Sequence, residues 1–147
     1  MRVLILYESR RGFTLAVAQA IRDELHTRGV AAETAPLRSV DRGTVAAADA
    51  LIVGSWVKGA IVVGVGPADG VRGSIEALPD LDGKVAAVFC TCDVAPRGTL
   101  QTLATWLRRR GARVVLGQAF TRKKSLRTVP DFTEAVLGAF ARAPADA

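Results

Sequence analysis

Apolar runs and helical apolar stripes alternate along the chain. Arg2–Tyr7 (RVLILY) is apolar on both faces after Arg2, the pattern of a strand covered on both sides. Thr14–Arg28 places Val17, Ala18, Ile21 and Leu25 at helical spacing, and Gly29 stands where such a helix stops. Ala31–Ala35 predicts a weaker strand, Thr44–Ala48 a short helix, and Ala50–Gly54 (ALIVG) a third strand. A long loop is expected from Ser55 to about Asp69, then a short helix over Gly70–Leu78. Lys84–Phe89 (KVAAVF) predicts the fourth strand and Arg113–Gly117 the fifth. Between them, Thr99–Arg110 carries Leu100, Leu103, Ala104 and Leu107 on one face, with Gly111 as its stop. Val129-Pro130-Asp131 opens a last helix, with Pro in its first turn and Asp131 and Glu134 near its positive end. The tail Ala143–Ala147 is expected to fray.

Strands that alternate with helices in so short a chain imply an α/β fold: a five-stranded parallel sheet, doubly wound, with helices on both faces in three layers. No linker, repeat or composition break divides the chain, so residues 1–147 form one domain. Right-handed crossovers gather the loops after the strands on one edge of the sheet, where ligands bind at the switch in strand order. The loops after Tyr7, Gly54 and Phe89 are therefore the candidates for function.

Composition narrows this further. Half of the 147 residues are apolar and only 5% are aromatic, which suits helices on a sheet better than an aromatic-rich sandwich. Cys90 and Cys92 are too close to staple a fold and read as free thiols of a reducing compartment, in core and loop positions. The first residues read as a core strand and not a cleaved leader, and Gly64, Gly66 and Pro67 break the longest apolar stretch elsewhere. A cytoplasmic protein without a membrane span is expected. The single histidine, His26, falls late in the first helix and is expected to be exposed, which leaves no histidine-based hydrolytic or metal mechanism. The net charge of +6 favours an anionic ligand or partner. Its two basic runs, Arg108-Arg109-Arg110 and Arg122-Lys123-Lys124, read as solvated faces, and no interleaved aromatic residue offers a platform for nucleic acid.

The first loop, Glu8-Ser9-Arg10-Arg11-Gly12-Phe13-Thr14, has the makings of a phosphate cradle. Ser9 and Thr14 supply hydroxyls, Gly12 lets the backbone approach, and the helix start supplies free N–H groups. The same residues also suit a plain strand-to-helix turn with Ser9 and Thr14 as caps. Ser9-x-x-Gly12-x-Thr14, directly after Ile5-Leu6-Tyr7, resembles the S/T-x-T-G-N-T loop of the flavodoxin family. Arg11 stands for the usual Thr and Phe13 for the usual Asn, and an arginine can pair with a phosphate dianion directly.

The resemblance covers nearly the whole chain and implies the strand order 2-1-3-4-5 and an FMN cofactor. It implies phosphate contacts at Ser9, Arg10, Arg11, Gly12, Phe13 and Thr14, and ring contacts at Ser55, Trp56 and Val57, with Trp56 over one face of the isoalloxazine. It further implies contacts with the pyrimidine edge from Thr91, Cys92 and Asp93. Most flavodoxins add a Tyr in this last loop, and none lies between Cys90 and Gly98. The apolar segment Ile61–Val65 suits a dimer contact, a seat for the ring's dimethylbenzene edge or an apolar substrate, or a folded-back segment. Electron transfer to a redox partner protein or small redox substrate is the implied role. An FMN-dependent quinone or NAD(P)H oxidoreductase, or a flavin-free module that binds an acidic partner, are the alternatives. Flavodoxins are typically acidic, and this chain is not.

Overall fold

The computed structural model describes residues 1–58, 64–93 and 95–143. Gly59, Ala60 and Ile61–Val63 of the apolar segment, Val94, and the tail from Pro144 lie outside the described residues. The elements run β1 (Arg2–Glu8), α1 (Phe13–Thr27), β2 (Ala31–Pro36), α2 (Arg42–Ala47), β3 (Ala50–Lys58), β4 (Gly66–Pro67), α3 (Val71–Glu76), β5 (Val85–Cys92), α4 (Thr99–Arg109), β6 (Arg113–Thr121) and α5 (Val129–Arg142). Short 3-10 turns at Leu37–Ser39 and Ser125–Thr128 complete the chain.

Five strands pair in parallel in the order β2-β1-β3-β5-β6, the expected 2-1-3-4-5 once the two-residue β4, antiparallel to the end of β3, is set aside. The continuous apolar strands have the cause read from sequence. Along β1, Leu4 and Leu6 enter one core with Val45, Ile75 and Leu103, while Val3 and Ile5 enter the other with Val17, Ile21 and Phe132. β3 and β5 divide in the same way, so the sheet is buried on both faces. No described helix is long and apolar enough to cross a membrane.

Three strands, the central β3 and β5 and the edge strand β6, outrun their predicted ends. β3 continues through Ser55, Trp56, Val57 and Lys58 instead of opening a loop at Ser55. β5 reaches Cys92, and β6 runs four residues past Gly117. These extensions carry the site residues on sheet backbone, the more rigid support.

At the centre, Gly54 faces Phe89 across the β3–β5 ladder, and a Cβ at Gly54 would lie 2.1 Å from the ring's Cζ. Phe89 in turn meets Phe120 edge-on at 5.9 Å. Because β5 runs on as a strand, both cysteines are buried. Burial, then the neighbouring Cys92, pushes the Cys90 thiol up to about 12, and burial followed by the charge of Asp93 raises Cys92 as well.

Two outcomes are expected. Gly54→Ala forces the Phe89 ring aside and lowers unfolding stability by about 2–3 kcal/mol in denaturant titration, with part of the loss recovered in the Gly54→Ala/Phe89→Leu double variant; unchanged stability contradicts the close packing. Burial shields both thiols and, with their pKa values raised, leaves a smaller thiolate fraction than in the unfolded chain, so an aromatic disulfide reagent labels the native protein far more slowly. Equal rates contradict this.

Candidate functional site

The site begins where β1 ends. The chain turns through Ser9–Gly12 and enters α1 at Phe13. Gly12 has φ 95, a left-handed conformation that glycine adopts at little cost, and nothing lies within 4 Å of the place a Cβ would take. The backbone is thus open to a ligand. The Ser9 hydroxyl accepts the N–H of Gly12 at 3.1 Å and of Leu15 at 3.3 Å, which fills the capping role and leaves its own hydrogen to donate. Among the described residues, the N–H groups of Phe13 and Thr14 take no part in the hydrogen bonds of the turn. A helix start with free N–H groups is suited to an anion.

Thr14 is buried, and its Oγ1 lies 2.7 Å from Thr91 Oγ1 at the end of β5. One hydroxyl donates to the other, so one hydrogen is left over at the base of the cleft. The Gly12 turn and the end of β5 are therefore joined through side chains 77 residues apart.

The second segment divides between fold and cleft. Ser55 is fully buried, with its hydroxyl donating to Trp56 O at 2.8 Å and accepting the Ala68 N–H at 3.1 Å. It pins the returning chain against β3 and does not line the cleft. Trp56, Val57 and Lys58 are half-buried and do line it. The Arg10 guanidinium sits 5.1 Å from the centre of the Trp56 ring, a cation–π contact. Lys58 pairs with Asp69.

On the neighbouring strand, with Thr91 paired to Trp56 in the ladder, stand Thr91 and Cys92, followed by the exposed Asp93. Asp93 pairs with Arg122 at 2.8 Å, and Arg122 lies 5.4 Å from the centre of the Phe13 ring. The cleft these groups enclose measures about 250 Å³ and is lined by Arg10, Arg11, Phe13 and Thr14 on one side. A second cleft of about 490 Å³ shares Arg10 and Trp56 with the first and is bounded by Tyr7, Ser9, Pro36 and the Glu8–Arg38 ion pair. His26 is exposed at the far end of α1, with Nε2 2.8 Å from Ala32 O.

The structure thus brings together at the first cleft Arg10, Arg11, Phe13, Thr14, Trp56, Val57, Thr91, Cys92 and Asp93 of the expected residues, with Ser9 at its neighbour and Gly12 at the turn. Sequence reasoning missed Lys58 and Arg122. Arg122 reads as one of three solvated cations unless β6 is followed to its full length, which places it one residue past the strand end, level with the other site loops.

No family model matches the sequence, and no curated protein is similar to it. Solved structures are. A flavodoxin of Streptococcus pneumoniae TIGR4 superposes with TM-score 0.75 at 17% identity, over 94% of this chain and 99% of its own. Oxidised flavodoxin 1 of Bacillus cereus gives 0.75 at 22%, over 94% and 98%. A cysteine-to-serine mutant of the Pseudomonas aeruginosa flavodoxin gives 0.71 at 24%, over 97% and 98%. At such identities the likeness speaks for architecture, and it covers nearly the whole of each structure: this chain has the flavodoxin fold.

Proposed function

We propose that the chain binds FMN in the first cleft and carries electrons through it. The observation that carries the reading is the position of Trp56, half-buried and facing an open cleft beside the Gly12 turn, at the edge of the sheet where all site loops meet. An indole packed into the core would leave Phe13 as the one aromatic side chain lining the cleft among the described residues. The residues fit the group. A phosphomonoester meets the free N–H groups of Phe13 and Thr14, the hydroxyl hydrogens of Ser9 and the Thr14–Thr91 pair, and the guanidinium of Arg11, which is exposed and has no acidic partner among the described residues. Trp56 offers a ring face of broad dispersion contact. Asp93 and the backbone after Cys92 supply polar groups for the pyrimidine edge.

When bound, FMN supplies one- and two-electron redox chemistry. This chain's part is to hold the phosphate, position the ring and set the field around it. Arg10 stands beside Trp56, and Lys123 and Lys124, which follow the Asp93-paired Arg122, add exposed positive charge at the same edge; positive charge stabilises the added negative charge of a reduced flavin. The second cleft, which shares Trp56, favours one further reading. It leaves room beside the ring for a small redox substrate, as an FMN-dependent oxidoreductase needs. Anaerobic bleaching of the flavin by NAD(P)H distinguishes that enzyme from a carrier.

Calorimetric titration with FMN tests the proposal, with riboflavin as the control that lacks phosphate. FMN is expected to bind at least about tenfold more tightly than riboflavin, and Arg11→Ala to narrow that gap by about tenfold, the loss of one charge-assisted hydrogen bond. Trp56→Ala is expected to weaken both ligands by about tenfold or more through lost stacking. Equal affinity for the two ligands contradicts the phosphate cradle. The two-electron potential of the bound flavin is expected to be less negative than in acidic flavodoxins, and an equally low value in redox titration contradicts the electrostatic account.

A further inference from the structure

The formal charge of this chain is unevenly placed. The described segments on the strand-end edge of the sheet (residues 8–12, 37–39, 58, 64–70, 93, 95–98 and 122–124) hold eight basic and three acidic residues. The rest of the chain holds twelve basic and eleven acidic, so the edge carries five of the six net charges. Its three acids are each engaged: Glu8 with Arg38, Asp69 with Lys58, and Asp93 with Arg122. Five cations remain, Arg10, Arg11, Arg97, Lys123 and Lys124, and all five are exposed.

The other basic run shows what a structural role looks like. Arg108 donates to Val114 O at 3.0 Å and Arg110 to Leu78 O at 2.7 Å, so both are spent on backbone carbonyls. Lys123 and Lys124 make no side-chain hydrogen bond or ion pair among the described residues. Arg97 holds φ 46, a left-handed backbone that costs an L-residue about 1 kcal/mol and that glycine would take more cheaply. A phosphate dianion at the Gly12 turn offsets two of the five, those of Arg10 and Arg11. Arg97, Lys123 and Lys124 stay uncompensated, on two loops tied to each other by the Asp93–Arg122 ion pair.

Resting on the FMN reading of the cleft, we infer that the partner of this protein is a protein with an acidic face, which docks over the loops after β5 and β6 against Arg97, Lys123 and Lys124. Like charges repel, so a basic partner is excluded from the same edge. A bilayer fits poorly, because Met1, Val115 and Leu126 are the large apolar side chains exposed among the described residues and form no insertion face. Nucleic acid fits poorly too, since no exposed aromatic residue accompanies the cations among the described residues.

The test titrates the FMN-saturated protein with an acidic plant-type [2Fe–2S] ferredoxin as probe, and with basic cytochrome c, a DNA duplex and phosphatidylglycerol vesicles as rivals. Ferredoxin is expected to bind at about 20 mM salt and to lose at least about tenfold in affinity at about 200 mM, as steering between exposed charges is screened. Lys123→Glu/Lys124→Glu is expected to weaken it at least about tenfold with the flavin spectrum unchanged, and Arg97→Glu to do the same independently. Failure to bind ferredoxin, indifference to both variants, or tighter charge-dependent binding of cytochrome c, DNA or vesicles overturns the docking surface. The flavin spectrum of the same samples separates the two readings. Protein that takes up no FMN overturns the cofactor proposal by its spectrum alone, and FMN-loaded protein that ignores ferredoxin overturns only the partner.

Discussion

The 2.7 Å contact between the buried hydroxyls of Thr14 and Thr91 joins the first turn of α1 to the end of β5. Without it the Gly12 turn and the third loop would be two separate loops on one edge. With it, a helix start bearing free N–H groups is held at a fixed distance from the strand that carries Cys92 and Asp93. Neither hydroxyl could be buried alone at small cost, so each specifies the position of the other. Gly54 acts one strand away, where its missing side chain admits the Phe89 ring and lets β3 and β5 run side by side to Trp56 and Thr91. The cleft is the space these two constraints leave open.

Much of the architecture was legible because a sheet buried on both faces leaves continuous apolar runs in sequence. RVLILY, ALIVG and KVAAVF name β1, β3 and β5 almost by inspection, and helices α1 and α4 follow from their apolar spacing and closing glycines. The strand ends were not legible, for reasons particular to each. Ser55 looks like a loop residue, yet it is buried with both capacities of its hydroxyl taken by backbone. Gly117 looks like a strand stop, yet it is a strand residue where Val88 comes within 3.0 Å of a Cβ position. The residues of the first loop could be named from their chemistry, but their division of labour could not. Ser9 caps the helix, while Thr14 points inward to a residue 77 positions away that no local pattern indicates.

Charge placement explains what the totals alone did not. Arg10 and Arg122 stand over the Trp56 and Phe13 rings, so two cations lie beside aromatic faces at the mouth of the cleft. An arginine on an indole keeps its charge while the stem covers apolar surface. With Arg122 paired to Asp93, Arg10 and the adjacent Arg11 make the cleft positive on one side, beside its aromatic wall, a combination suited to a ligand with an anionic tail and a flat ring. The same charge decides what else approaches the edge.

The most direct measurement is the emission of Trp56 in a Trp106→Phe variant, which leaves one indole, followed during titration with FMN. The account predicts that Trp56 emission is quenched to a stoichiometric end point, in step with a shift of the flavin's visible spectrum. Unquenched emission with the spectrum of free flavin at saturating FMN would contradict it.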